Sequence, residues 1–175
     1  MRILVLTDHY PPYYEGAYEL MCRQVTEGLR ARGHTITVLT TTFGVDAPTI
    51  DGDVYRLLYF LRGEYTGWLS RRQAQFQQFR QSRQNYRLTR RLLQDIRPDI
   101  VFVWNVEAAS ILPILAVQDA GKRPVFRMGS HWLVHLKKEY EDDPSRLRRS
   151  YRSALLGFRR LEELRLDAVI FNSES

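Results

Sequence analysis

Two rhythms alternate along the chain, short continuous apolar runs and longer stretches with helical spacing. Residues 1–7, Met-Arg-Ile-Leu-Val-Leu-Thr, form an apolar run with β-branched members, suited to a strand buried on both faces. Residues 8–17 carry two prolines and a glycine and read as a loop. Over 18–32 the apolar positions are 18, 21, 22, 25 and 29, one face of a helix, which Gly33 closes. Strands are expected at 35–39, 54–61, 99–104, 124–128 and 168–171. Between them the pattern predicts a loop at 62–67 and a long helix over 70–96, capped by Ser70 and stopped before Pro98. A helix over 107–120, interrupted at Pro113 and closed by Gly121, and a charge-rich helix over 144–166 complete the set. Strands alternating with helices define an α/β fold, a Rossmann-like doubly wound parallel sheet with expected order 3-2-1-4-5-6. Its ligand side is the edge where strands end and helices begin.

Composition narrows the picture. The 175 residues suffice for one domain with a sizeable core. No apolar run reaches the roughly 18 residues of a membrane span, and the start lacks a signal-peptide pattern, so a cytoplasmic location is expected. One cysteine, Cys22, excludes an internal disulfide and falls within the apolar spacing of the first helix, as a buried thiol would. Four scattered histidines give no metal-ligand spacing, and no metal is expected.

Net charge is +6, unevenly spread. Residues 71–97 hold eight arginines and one aspartate, a sum of +7, so the remainder sums to −1. Arg80, Arg83, Arg87 and Arg90 recur at three and four residues and form a stripe, with Phe76, Phe79, Tyr86, Leu92 and Leu93 able to supply an apolar side. Such a helix is either a solvated face or a surface for anionic lipid or another polyanion. Helix–turn–helix, zinc and RNA-recognition signatures are missing, so nucleic acid is not the expected partner.

Several segments together resemble the amino-terminal domain of family 4 glycosyltransferases, retaining enzymes of the GT-B fold. They are Tyr10-Pro-Pro, Glu15-Gly-Ala-Tyr-Glu-Leu-Met-Cys22, Gly28-Leu-Arg-Ala-Arg-Gly-His34, Arg97-Pro-Asp-Ile-Val-Phe-Val-Trp-Asn105, Arg123-Pro-Val-Phe-Arg-Met-Gly-Ser-His-Trp-Leu133 and Asp167-Ala-Val-Ile-Phe-Asn-Ser-Glu174. The resemblance covers nearly the whole chain except 43–95. Where that family has Gly-Gly-x-Glu, this chain has Gly16-Ala17 and Glu19; a positive φ at Ala17 would cost energy that glycine would not. The resemblance implies a single acceptor-side domain over 1–175, with a second Rossmann-like domain that binds the nucleotide sugar and carries a Glu-x7-Glu motif. Glu19 and Glu27 meet that spacing, but on the first helix, where the match is coincidental. The resemblance further implies transfer of a hexose from a nucleotide sugar to a sugar or lipid-linked acceptor, no cofactor beyond that co-substrate, and no activity from this half alone.

Candidate site residues follow from position and from the resemblance. Gly16 and Ala17 precede a helix start, where backbone N–H groups attract anions; the resemblance makes this the loop facing the donor's phosphates, against a plain turn. Glu19 either caps the helix or faces the cleft. Asp8, His9, Thr41, Asn105 and Ser173 end strands and are ligand candidates by position, or else turn formers and caps. Asn105 has Glu107 and Ser110 beside it, at the expected start of the next helix. Ser130, His131 and Trp132 follow the fifth strand: His131 as a catalytic or sugar-bonding group, Trp132 as a stacking platform or core plug. Ser130 takes the place of the family's aspartate in one alignment, and His131 that of its histidine in an alignment shifted by one residue. A non-catalytic module recruited to anionic membranes is the rival reading. A self-contained nucleotide enzyme is disfavoured, because Gly-x-Gly-x-x-Gly and P-loop motifs are both missing.

Overall fold

The computed structural model describes residues 1–61, 68–128, 164–166 and 168–171. The strands are β1 (Arg2–Thr7), β2 (Thr35–Thr41), β3 (Thr49–Asp51), β4 (Val54–Leu58), β5 (Ile100–Asn105), β6 (Pro124–Met128) and β7 (Ala168–Phe171). The helices are α1 (Ala17–Ala31), α2 (Trp68–Ile96) and α3 (Leu112–Asp119). The sheet order is β3-β4-β2-β1-β5-β6-β7. All neighbours run parallel except β3, which pairs antiparallel with β4. Without β3, this is the order the sequence predicts.

Strand alternation splits the core in two. Leu4 and Leu6 of β1 join Leu39, Val101, Val103 and Phe126, with Leu92 and Leu93 of α2 and Ile114 and Val117 of α3 closing that face. Ile3 and Val5 point the other way, onto Ile36, Val38, Phe102, Trp104 and Cys22 of α1. Cys22 is fully buried, as its spacing predicts; burial pushes its thiol up to about 12, with Glu19 adding to the effect. Gly33, at φ 83°, closes α1 in the left-handed region that glycine enters without strain.

One strand is added and three expectations are corrected. The edge strand β3 was not predicted; all three of its residues are exposed, so no burial pattern announces it. The third expected strand, 54–61, ends at Leu58: the Tyr59 N–H donates to Asn85 Oδ1 (2.7 Å) and its C=O accepts from Asn85 Nδ2 (3.0 Å) rather than joining a ladder. Helix α2 starts at Trp68, so Ser70 lies within it and is not its cap. Helix α3 starts at Leu112, not at 107. Pro113, in its first turn, has no N–H for the Ala109 carbonyl four residues back, and that carbonyl bonds Asn85 instead (3.1 Å). The expected loop 62–67 and most of the helix 144–166 lie outside the described residues; Leu164–Leu166 are described and are not helical.

Helix α2 buries Leu92 and Leu93 of the expected apolar side, but its inward side otherwise differs. Phe76 is exposed, and the buried positions include Ser82, Asn85 and Thr89. Their polar atoms are matched: Ser82 Oγ to Ser110 Oγ at 2.7 Å, Asn85 as above, and Thr89 Oγ1 donating to the Asn85 carbonyl at 2.8 Å. Paired in this way, polar groups can be buried without the cost of lost water.

Candidate functional site

The carboxyl edge of the sheet concentrates buried polar residues: Thr7, Asp8, His9, Thr40, Thr41 and Ser110. Asp8 leaves β1 and is buried. Its backbone carbonyl accepts from Thr40 Oγ1 (2.9 Å), Thr41 Oγ1 (2.5 Å) and the Thr41 N–H (3.2 Å). Its carboxylate accepts from the N–H groups of Ala108 (2.7 Å) and Ala109 (2.9 Å). The Ala108 carbonyl accepts from Leu61 N–H at 2.9 Å and that of Ala109 from Asn85. Every backbone polar group of this dipeptide thus has a partner, and three remote segments meet there.

His9 stands next to Asp8, 7% exposed. Its ring centre is 4.3 Å from that of Phe43, past β2, and 5.5 Å from that of Phe60, past β4. Its Nδ1 is 3.9 Å from Glu19 Oε1 and 4.0 Å from Glu15 Oε2, ion-pair distances once the imidazole is protonated. Three strand ends and the start of α1 converge on one imidazole. Its aromatic walls came from residues that lie after strands yet carry no motif.

Glu19 has a second task. It is the third residue of α1, and its Oε2 accepts the Gly16 N–H at 3.0 Å, as in a capping box. Gly16 is extended at φ −157°, a conformation open to any residue, and an added Cβ would find nothing nearer than Glu19 Oε2 at 3.8 Å. The fold therefore does not itself demand glycine here. Ala17 is the first residue of α1 and is not among the residues at positive φ, so the strain considered for it does not arise. The first amides of α1 have no acceptor within the helix, and α1 begins at this edge.

The loop 10–16 is tied at several points. Tyr10 Oη and Thr26 Oγ1 share a hydrogen bond of 2.7 Å. Buried Arg56 donates to the Pro11 carbonyl at 2.9 Å, lies 5.0 Å from the Tyr13 ring centre, and is held below its ordinary pKa by burial. Tyr13 lies against Gly44, where φ is 79° and a Cβ would come within 2.4 Å of its ring. On the other side Tyr18 Oη donates to the carbonyls of Trp104 (3.2 Å) and Arg127 (3.3 Å), fixing the first turn of α1 to the ends of β5 and β6.

Of the remaining candidates, Asn105 ends β5 opposite Thr7, and its Oδ1 accepts the Glu107 N–H at 3.3 Å, closing a turn. Glu107 and Ser110 lie in that turn ahead of α3, and Ser110 adopts φ 70°. Thr41 Oγ1 accepts the Phe43 N–H at 3.3 Å. Ser130, His131, Trp132 and Ser173 lie outside the described residues. Arg80, Arg83 and Arg87 are exposed on α2, whereas Arg90 is half-buried and donates to Tyr86 Oη at 3.4 Å. Among the described residues no group of acidic, histidine or cysteine side chains could hold a metal ion, and no helix is long and apolar enough to cross a membrane.

A parallel sheet in this order, with its polar residues gathered at the carboxyl edge beside a helix start, is the architecture of a Rossmann-like GT-B domain. The family described as Glycosyltransferase Family 4 matches residues 19–175, and the chain belongs to it. No curated protein sequence matches the chain. Among solved structures it is similar to the glycosyltransferase SsfS6 of Streptomyces sp. SF2575, with 18% identity and a TM-score of 0.36 over 73% of this chain and 39% of the other. It is also similar to the glycotransferase of kitacinnamycin, with 13% identity and a TM-score of 0.45 over 94% and 42%. A third similar structure, from Listeria monocytogenes, is described as a UDP-N-acetylglucosamine 2-epimerase, with 12% identity and a TM-score of 0.44 over 96% and 43%. The chain spans about two fifths of the length of these three structures.

Proposed function

We propose that this chain is the acceptor-side, amino-terminal domain of a retaining glycosyltransferase that moves a hexose from a nucleotide sugar to a sugar or lipid-linked acceptor in the cytoplasm. A second Rossmann-like domain would supply the nucleotide pocket, so that this half alone does not transfer sugar. The observation that carries the reading is the fixed arrangement of His9, Glu19 and the Gly16–Ala17 start of α1 at the carboxyl edge of a family 4 domain. Donors held in place before charge develops are worth more than donors that must reorganise. The first amides of α1 would face the leaving diphosphate across the cleft, and Glu19 holds Gly16 in place through its N–H. His9, buried between aromatic rings and beside two carboxylates, is suited to binding an acceptor hydroxyl or shuttling its proton. Asp8 and Asn105 shape the floor by bonding backbone. Ser130, His131 and Trp132 follow β6 in sequence and stay candidates for the acceptor or the reacting centre.

Gly16→Val in the full-length enzyme tests this. The backbone there suits any residue and the first added carbon has room, so the variant folds. Its branched side chain would stand where the diphosphate approaches the amides. Turnover with a radiolabelled nucleotide sugar should fall by about tenfold or more, the loss of roughly one good charge-stabilising contact. Unchanged turnover in the folded variant would remove this loop from the reaction.

A further inference from the structure

Four of the eight arginines of residues 71–97 lie on one side of α2, away from the side that is buried. Arg80, Arg83, Arg87 and Arg91 are all exposed, while Ser82, Asn85, Thr89 and Leu92 of the same helix are buried. At 100° per residue the four guanidiniums fall within an arc of about 80°, opposite the buried side, over about 16 Å of helix. Phe76, 59% exposed, lies in the same arc one turn before Arg80. Arg83 covers the Phe79 ring at 4.7 Å from its centre. Arg90, assigned to the stripe by spacing alone, leaves it for Tyr86, whose hydroxyl donates to Asp119 at 2.6 Å; Arg91 takes its place.

We infer that this face of α2 docks on an anionic lipid bilayer. The charge is complementary to a plane of phosphates, and without residues 71–97 the chain sums to −1, so the patch is not a share of a general positive charge. A straight row of guanidiniums along a helix axis matches a flat surface, and an exposed phenylalanine among them gains by entering the acyl boundary, which a nucleic-acid backbone does not offer. Arginines near such a surface act additively and are screened by salt. The inference does not depend on the transfer reaction.

Sedimentation of the purified protein with vesicles tests it, using phosphatidylcholine alone and phosphatidylcholine mixed with phosphatidylglycerol. The protein should pellet with the mixed vesicles only, and high salt should release it. Replacing Arg80, Arg83, Arg87 and Arg91 by glutamine should lower partitioning by at least about tenfold, with the thermal unfolding curve unchanged. Phe76→Ser should lower it several-fold. Equal binding by the quadruple variant, no binding to either vesicle, or displacement from mixed vesicles by short duplex DNA would each overturn the inference. Because the assay reads partitioning and not transfer, its failure would leave the proposed reaction untouched.

Discussion

The two edges of the sheet use polar residues in opposite ways. At the amino edge the charges lie at or near the surface: Arg2 and Asp99, both exposed, are 3.5 Å apart, and half-buried Arg30 pairs with exposed Asp53. Pairs of that kind contribute little to stability, because water serves each partner nearly as well. At the carboxyl edge Asp8, Thr40, Thr41, Ser82, Asn85 and Ser110 are buried and bonded, mostly to backbone. Removing one of these leaves its partners in a place water cannot reach. The contrast teaches where geometry is being held: the edge that must present a fixed surface is built from groups that cannot let go cheaply.

The sharpest way to break this contrast is Asp8→Ala. Two buried N–H groups lose a charged acceptor, and chemical denaturation should show a loss of about 3 to 5 kcal/mol. A loss below about 1 kcal/mol would mean that the edge is not held by its buried bonds. Asn85→Ala comes next. It strips one N–H and two carbonyls of their partner and should cost about 2 to 3 kcal/mol, with faster amide exchange at Tyr59. The smallest effect belongs to Asp99→Asn at the other edge. The Arg2 backbone N–H, with its guanidinium adding, holds the Asp99 carboxyl below its ordinary value of 3.8. A depressed folded value means that its stabilisation is present above that ordinary value and fades as pH falls through the lower folded one. The variant should therefore differ slightly from the parent at neutral pH, and the two curves should converge in acid. A large change at neutral pH would erase the distinction between the edges.

Much of the fold was legible because parallel strands buried on both faces read as unbroken apolar runs, which locate six strands, and because their alternation with helices gives the order. Thr49–Asp51 was not legible by burial, although Asp51-Gly52-Asp53 carries the turn signal that joins it to β4. On α2, Leu92 and Leu93 were legible as inward, whereas Ser82, Asn85 and Thr89 look solvent-facing until their partners are brought to them by the fold. The same holds for the site. His9 and Asp8 could be flagged from their place after a strand. Phe43 and Phe60 could not, since what makes them walls is the parallel pairing of β1, β2 and β4, which puts residues far apart in sequence around one ring.

One feature of the core is useful at the bench. Cys22, the chain's single cysteine, is sealed under α1 with its thiol pushed up to about 12. At neutral pH almost none of it is thiolate, and reagents cannot reach it. Toward maleimides the folded domain behaves as a cysteine-free protein. A single cysteine placed at exposed Gln77 on α2 would carry the only label, a fluorophore to report immersion in lipid or a spin probe to report distance to a second domain, with no background to subtract.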